Sequence, residues 1–203
     1  MALQNVIRAL ATDGTIDPIS SIDFRTDKKC VKSLDLAINS NVNIMADIGG
    51  ILEKVITRGY IRSLKLLASW GLRKYTDKNK YETDINHAFK IAAEHNDHNL
   101  LLIFYNGFKN GIHHHGLNEA FLSACKNGNF KSVRFLHIQG ADILYRNHEA
   151  IKLASYHNHL DVVKYLHVRG GNIFVDNNTP INYAKINGYK KMIKYFSKHE
   201  FTV

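Results

Sequence analysis

A chain of 203 residues, 45% apolar and 22% charged, is long enough for a self-sufficient core and too apolar for a disordered polypeptide. Two prolines and thirteen glycines argue against a fibrous or linker-rich protein, and two cysteines, Cys30 and Cys125, are too few for a disulfide framework and lack CxxC spacing. The formal charge of +9 is unevenly placed: residues 1–50 hold five basic and six acidic side chains, residues 51–203 hold 22 and 12. That excess suits nucleic acid or an acidic protein surface and does not choose between them.

Met1 to Ala11 includes Gln4, Asn5 and Arg8, so no secretory leader is expected. No apolar run reaches the roughly 18 residues that a membrane span needs. The expectation is a reducing compartment, cytoplasmic or nuclear, with no membrane association. Residues 1–45 fit no repeat frame. A short helix around Leu3–Leu10, a turn at Asp13-Gly14 and a helix around Val31–Ile38 are expected there. They read as a divergent N-terminal helical cap or decayed repeat covering the first apolar face, or alternatively as a docking module.

From residue 46 onward the chain repeats itself. The segments AFLSACKNGNFKSVRFLHIQGADI from Ala120, AIKLASYHNHLDVVKYLHVRGGNI from Ala150 and PINYAKINGYKKMIKYF from Pro180 align, with Ala124, Ala154 and Ala184 spaced 30 residues apart. Segments from Ile51 and Ala88 extend the frame to about five copies, near 48–75, 87–111, 119–144, 149–174 and 179–198. A small residue (Val55, Ala92, Ala124, Ala154, Ala184) lies midway along a first helix and permits close packing. Four residues later Gly59, Asn96, Gly128, Asn158 or Gly188 ends that helix, since glycine and asparagine tolerate a left-handed backbone. A second helix follows with an i, i+3, i+4 stripe, as in Val162–Val163 and Tyr165–Leu166. Gly71, Gly140 and Gly170 are expected to stop three of the second helices, while Phe108 holds that column in the second copy. Such pairs bury their apolar faces by stacking.

These residues resemble the ankyrin repeat. Ile151–Ile173 carries its second-half pattern, Gly140-Ala141-Asp142 its loop start, and Thr179-Pro180-Ile181 its Thr-Pro-Leu opening. The resemblance covers roughly residues 48–198, most specifically in the last three copies. It implies an all-α, ankyrin-type helical repeat solenoid. The richness in Asn, Ile, Lys and Tyr with 30-residue spacing is similar to ankyrin proteins of giant amoebal viruses. The chain departs from the family in two ways. Thr-Pro survives only in the last copy, and the following histidine is replaced by Lys90, Leu122, Lys152 and Asn182. Stacking is therefore expected to rely more on apolar burial. The period falls short of the usual 33 or so between Gly140 and Ala154, so the inter-repeat finger should shrink to a plain turn. The longer spacings, 37 from Val55 to Ala92 and 32 from Ala92 to Ala124, belong in loops.

No motif for catalysis or phosphate binding is present. His113-His114-His115 reads as a solvated loop, because consecutive residues aim poorly at one ion and no nearby Cys, Asp or Glu completes a ligand set. His137 and His167 are equivalent repeat positions, so their likeness reflects the repeat. Cys125 is expected buried and inert, whereas Lys28, Lys29 and Lys32 could lower the pKa of Cys30 slightly. Trp70 is expected to pack on a neighbouring segment. Lys190, Lys191, Lys194 and Lys198 read as the polar outer face of a terminal repeat. No enzyme, cofactor, metal or small-molecule substrate is expected.

The resemblance implies a protein partner held on the concave face and inter-repeat loops, at the positions following the small residues: Arg58, Glu94, His95, Lys126, Asn127, Tyr156 and His157. The inserted segment Leu72–Asn86, with Tyr75 and Tyr81 among basic residues, is either a further contact or a mobile loop. The alternative is a nucleic-acid-associated protein using the basic repeat surface.

Overall fold

Amphipathic stripes punctuated by glycine and asparagine produce eleven α-helices and no strand among the described residues, which in this computed structural model are 22–39, 44–74 and 82–199. The chain divides into two compact units, Met1–His113 and His114–Val203.

The first unit contains α1 (Asp27–Asn39), α2 (Ile48–Thr57), α3 (Ile61–Lys74), α4 (Glu82–Glu94) and α5 (His98–Phe108). The first helices α2 and α4 pack together, and the second helix α3 packs between α1 and α5. The N-terminal segment is tied in by polar contacts. The Asp27 carboxylate accepts the backbone N–H groups of Arg62 and Ser63 at 3.1 and 3.0 Å and the Ser63 hydroxyl at 2.6 Å, which caps α3 from a different helix. The Tyr60 hydroxyl donates to the Phe24 carbonyl at 2.8 Å. The expected helix near Val31 is thus longer, and the expected helix at Leu3–Leu10 lies outside the described residues. At Gly107 the backbones of α3 and α5 come so close that a Cβ would overlap Ala68.

Three sequence expectations are corrected here. Gly71 does not stop its helix: α3 continues to Lys74, because an isolated glycine costs a helix only about 1 kcal/mol and ends it only when the chain turns there. Leu72–Asn86 is therefore helical at both ends, with Tyr75 and Tyr81 outside the described residues. Asn96 is not left-handed; instead the Asp97 carboxylate caps α5 through Asn99 and Leu100. Phe108 ends α5 without a glycine by leading into a 3₁₀ turn, Lys109–Gly111.

The second unit contains three helix pairs: α6 (His114–Lys126) with α7 (Phe130–Ile138), α8 (Tyr145–Tyr156) with α9 (Leu160–Val168), and α10 (Val175–Ile186) with α11 (Lys190–His199). The first helices α6, α8 and α10 pack in a row, and Ala124, Ala154 and Ala184 are fully buried. Each also closes the turn that follows it. Gly128, Asn158 and Gly188 are left-handed at φ 68°, 63° and 69°, and the next residues (Asn129, His159, Tyr189) donate back to the carbonyls of Ala124, Ala154 and Ala184 at 2.8–3.0 Å. Gly140 and Gly170 close the second helices the same way, with Ala141 and Gly171 donating to Leu136 and Leu166.

The shortened connection is not a plain turn. Asp142 and Asn172 accept the N–H groups of Leu144 and Phe174 at 2.8 Å, and each segment then takes three successive left-handed residues before its right-handed helix. These are Arg146-Asn147-His148 and Asp176-Asn177-Asn178. Five of the six are Asn, Asp or His, the residues other than glycine that best tolerate this region. The sixth, Arg146, is held by Glu119 at 2.9 Å and lies over the Tyr145 ring.

The two equivalent turns at Gly128 and Gly188 differ in surroundings. A Cβ at Gly188 meets nothing within 4 Å, whereas one at Gly128 overlaps the His159 ring. Gly188→Ala is predicted to lose about 1–2 kcal/mol from the left-handed backbone alone. Gly128→Ala should lose clearly more, since the His159 contact must also break. Equal losses in urea unfolding of the two variants would contradict this packing.

Candidate interaction surface

The second unit is joined from pair to pair by polar rungs that recur with the repeat. The His137 Nδ1 lies 2.8 Å from the Tyr165 hydroxyl, and the His167 Nδ1 lies 2.8 Å from that of Tyr195. The Asn118 and His148 side chains bind the backbone N–H groups of Asp142 and Asn172 at 2.8 and 3.1 Å. His159 Nε2 binds the Lys126 carbonyl at 3.0 Å, and the Tyr189 hydroxyl donates to the Tyr156 carbonyl at 3.1 Å. Polar ties between pairs therefore persist although the Thr and His of the family pattern are missing. Other side chains bridge the same interfaces.

On this frame the last residues of the three first helices, Lys126, Tyr156 and Ile186, occupy one repeat position at the surface, with Tyr156 50% and Ile186 82% exposed. Tyr156 is fixed edge-on between His157, 5.0 Å away by ring centroids, and Tyr183, 5.1 Å away. His157 in turn stacks with His159. Beside Tyr156 an open groove of about 370 Å³ is lined by Glu149, Lys152, Leu153, Asp176 and Thr179 as well as these rings. Burial works against the charge of Lys152, but its bonds to Asp176 (2.9 Å) and Glu149 (3.0 Å) prevail and hold its pKa above the usual lysine value. The same bond from Lys152 holds the Asp176 carboxyl below its usual value. The groove thus offers an aromatic wall and fixed charges of both signs.

Of the residues singled out from sequence, Lys126, Tyr156 and His157 come together here. The exposed Asn127 turns its amide back to the Ser123 carbonyl at 3.0 Å and serves its own helix end. Arg58, Glu94 and His95 lie in the first unit, Arg58 and Glu94 exposed and His95 half-buried. The Arg58 guanidinium sits over the Phe24 ring at 5.7 Å, so it is engaged with the N-terminal segment. Tyr183, Lys152 and Asp176 were not read from the sequence. The Lys152–Asp176 pair spans 24 residues, a separation that is meaningless until the pairs are stacked.

The histidine tract is not a plain loop: His114 and His115 begin α6. It also has acidic neighbours. His113 lies 3.7 Å from Glu82, while His115 Nδ1 lies 2.7 Å from the Tyr145 hydroxyl, which also donates to Glu119. Among the described residues no three His, Cys, Asp or Glu side chains are grouped to hold a metal. Burial raises the pKa of both thiols; for Cys30 it outweighs a bond to Ser63, so the nearby lysines do not lower that pKa as expected. Trp70 is half-buried on α3. No helix among the described residues is long and apolar enough to cross a membrane.

A family model described as ankyrin repeats (3 copies) matches residues 89–176. With its stacked helix pairs, the chain is an all-α repeat of the ankyrin type. A search of curated proteins returns no match.

Burial holds the pKa values of His137, His157 and His167 below the ordinary 6.5, with smaller contributions from Arg169, from Lys126 and His159, and from His199 respectively. The folded state thus favours neutral rings, and between the folded and unfolded pKa values the unfolded chain binds more protons. Their stabilisation is full above about pH 6.5 and is lost as pH falls through the folded values. Melting temperature is predicted to fall between pH 7 and pH 5, and to fall less in His137→Gln/His167→Gln, where an amide oxygen can still accept the tyrosine hydroxyl. An identical pH profile in that variant would contradict the rung assignment.

Proposed function

We propose that this protein is a non-catalytic interaction module that holds a partner protein on the first-helix face of its second unit, around Lys126, Tyr156 and His157. The observation that carries the reading is Tyr156: a large aromatic ring half in solvent, clamped by two neighbouring rings at the edge of a groove with fixed charges. Such preorganised aromatic anchors contribute most of the free energy at protein interfaces. The ankyrin match over residues 89–176 supports the same reading, since such repeats are generally protein-interaction modules. In the first unit Arg58, Glu94 and His95 hold the corresponding repeat positions and, with Tyr75 and Tyr81, form a separate proposed contact set.

Two buried thiols with raised pKa values suit binding rather than thiol chemistry, and free cysteines suit a reducing setting, cytoplasmic or nuclear. The composition and the 30-residue spacing support kinship with ankyrin proteins of giant amoebal viruses.

The intact protein should capture a specific protein from nuclease-treated lysate of the cells in which it is made. Lys126→Ala/Tyr156→Ala/Ile186→Ala is predicted to lose that capture at least about tenfold, consistent with loss of one anchor residue. Ile138→Ala, which alters an exposed apolar residue on a second helix outside both surfaces, should retain it. Capture that disappears with nuclease treatment would instead place nucleic acid on the basic surface.

A further inference from the structure

The second helices of the last two pairs carry a surface that the first-helix reading leaves unused. On α9, Leu160, Lys164 and Val168 fall on one face at four-residue spacing; on α11, Lys191, Lys194 and Lys198 do the same at spacings of three and four. These two faces line an open groove of about 510 Å³, with Tyr195 between them. The Lys164 ammonium lies 5.7 Å above the Tyr195 ring, and the Tyr195 hydroxyl is held by His167 at 2.8 Å. The floor is therefore fixed before anything binds.

Among the described residues, the charged side chains that line the groove are of one sign. Of the residues in α9 and α11, only Asp161 is acidic; it does not line the groove, and its Oδ1 accepts the backbone N–H of Val162 at 2.9 Å. A terminal helix needs a polar outer face, but that need is met by mixed charge as well, and lysines three and four apart on a helix repel. Solubility also gives no reason for Val168 to stand 79% exposed beside them.

We infer that this groove is a second docking surface, built for a carboxylate-rich segment of a partner protein that carries an apolar side chain at its centre. The carboxylates pair with Lys164, Lys191, Lys194 and Lys198, and the apolar side chain covers Val168, Leu160 and the Tyr195 ring. A nucleic acid strand fits less well. The two rings that line it, Tyr195 and His199, are half-buried and packed on each other with centroids 4.5 Å apart, and among the described residues no arginine lines the groove to engage phosphate in a bidentate way.

The test is fluorescence anisotropy of the full chain with a short fluorescein-labelled peptide of glutamates around a central leucine. Lys191→Glu/Lys194→Glu/Lys198→Glu should weaken binding by about tenfold or more, and Lys131→Glu/Arg134→Glu/Lys185→Glu, with the same charge change outside the groove, by less than about threefold. Circular dichroism and melting curves check that both variants are folded. Replacing the peptide's leucine by glutamate should weaken binding although it adds charge. Equal losses in the two variants would overturn the inference, because binding would then follow net charge. So would tighter binding of the all-glutamate peptide. An oligonucleotide of matched charge that binds more tightly than the peptide, and is lost in the groove variant, would overturn it in favour of a phosphate-backbone site.

Discussion

Each first helix in the second unit is fixed by a residue that must be small for one reason and placed for another. Ala124, Ala154 and Ala184 are fully buried where neighbouring first helices approach, and the carbonyl of each accepts the hydrogen bond that closes the turn into the second helix. Helix stacking and helix reversal therefore share one residue per repeat, which is why the spacing stays at 30 while the rest of the sequence drifts. The left-handed residue four positions later depends on the same register. A helix one residue longer would place neither the turn nor the alanine correctly.

With that register set, polar side chains can meet across pairs at fixed offsets. His137 meets Tyr165 and His167 meets Tyr195, while Asn118 and His148 bind the N–H groups at the entry to the next connection. Three of these bonds are partly shielded from solvent and the His148 bond is exposed, so each contributes about 1 kcal/mol or less. They also lock the helix ends where Tyr156 stands, because the Tyr156 carbonyl receives the Tyr189 hydroxyl. The surface proposed for a partner is thus a by-product of the same inter-pair bonding.

Much of this was legible in the sequence because a repeat writes each structural requirement several times. The alanine column and the glycines at 59, 128 and 188 were readable in that way. The same columns misled in the less regular first unit. Gly71 looks like a stop but sits inside α3, and Asn96 looks left-handed but yields to the cap at Asp97. The three left-handed residues at 146–148 and 176–178 left only a compositional trace in Asn, Asp and His. The His–Tyr rungs were harder still, since 28 residues separate the partners and the repeat is 30. The Lys152–Asp176 bridge and the role of Tyr183 follow from side-chain placement in three dimensions, which periodicity alone does not supply.

The measurement that bears most directly on the account is urea unfolding of Ala154→Leu, set beside Tyr156→Leu two residues away. Ala154 is fully buried between first helices, whereas Tyr156 is half in solvent. If the small-residue column sets the approach of the helices, Ala154→Leu should lose about 2–3 kcal/mol or fail to fold, from overpacking, while Tyr156→Leu changes stability by less than about 1 kcal/mol. A midpoint for Ala154→Leu equal to that of the parent would show that the first helices do not pack through this column, and the stacking described here would be wrong.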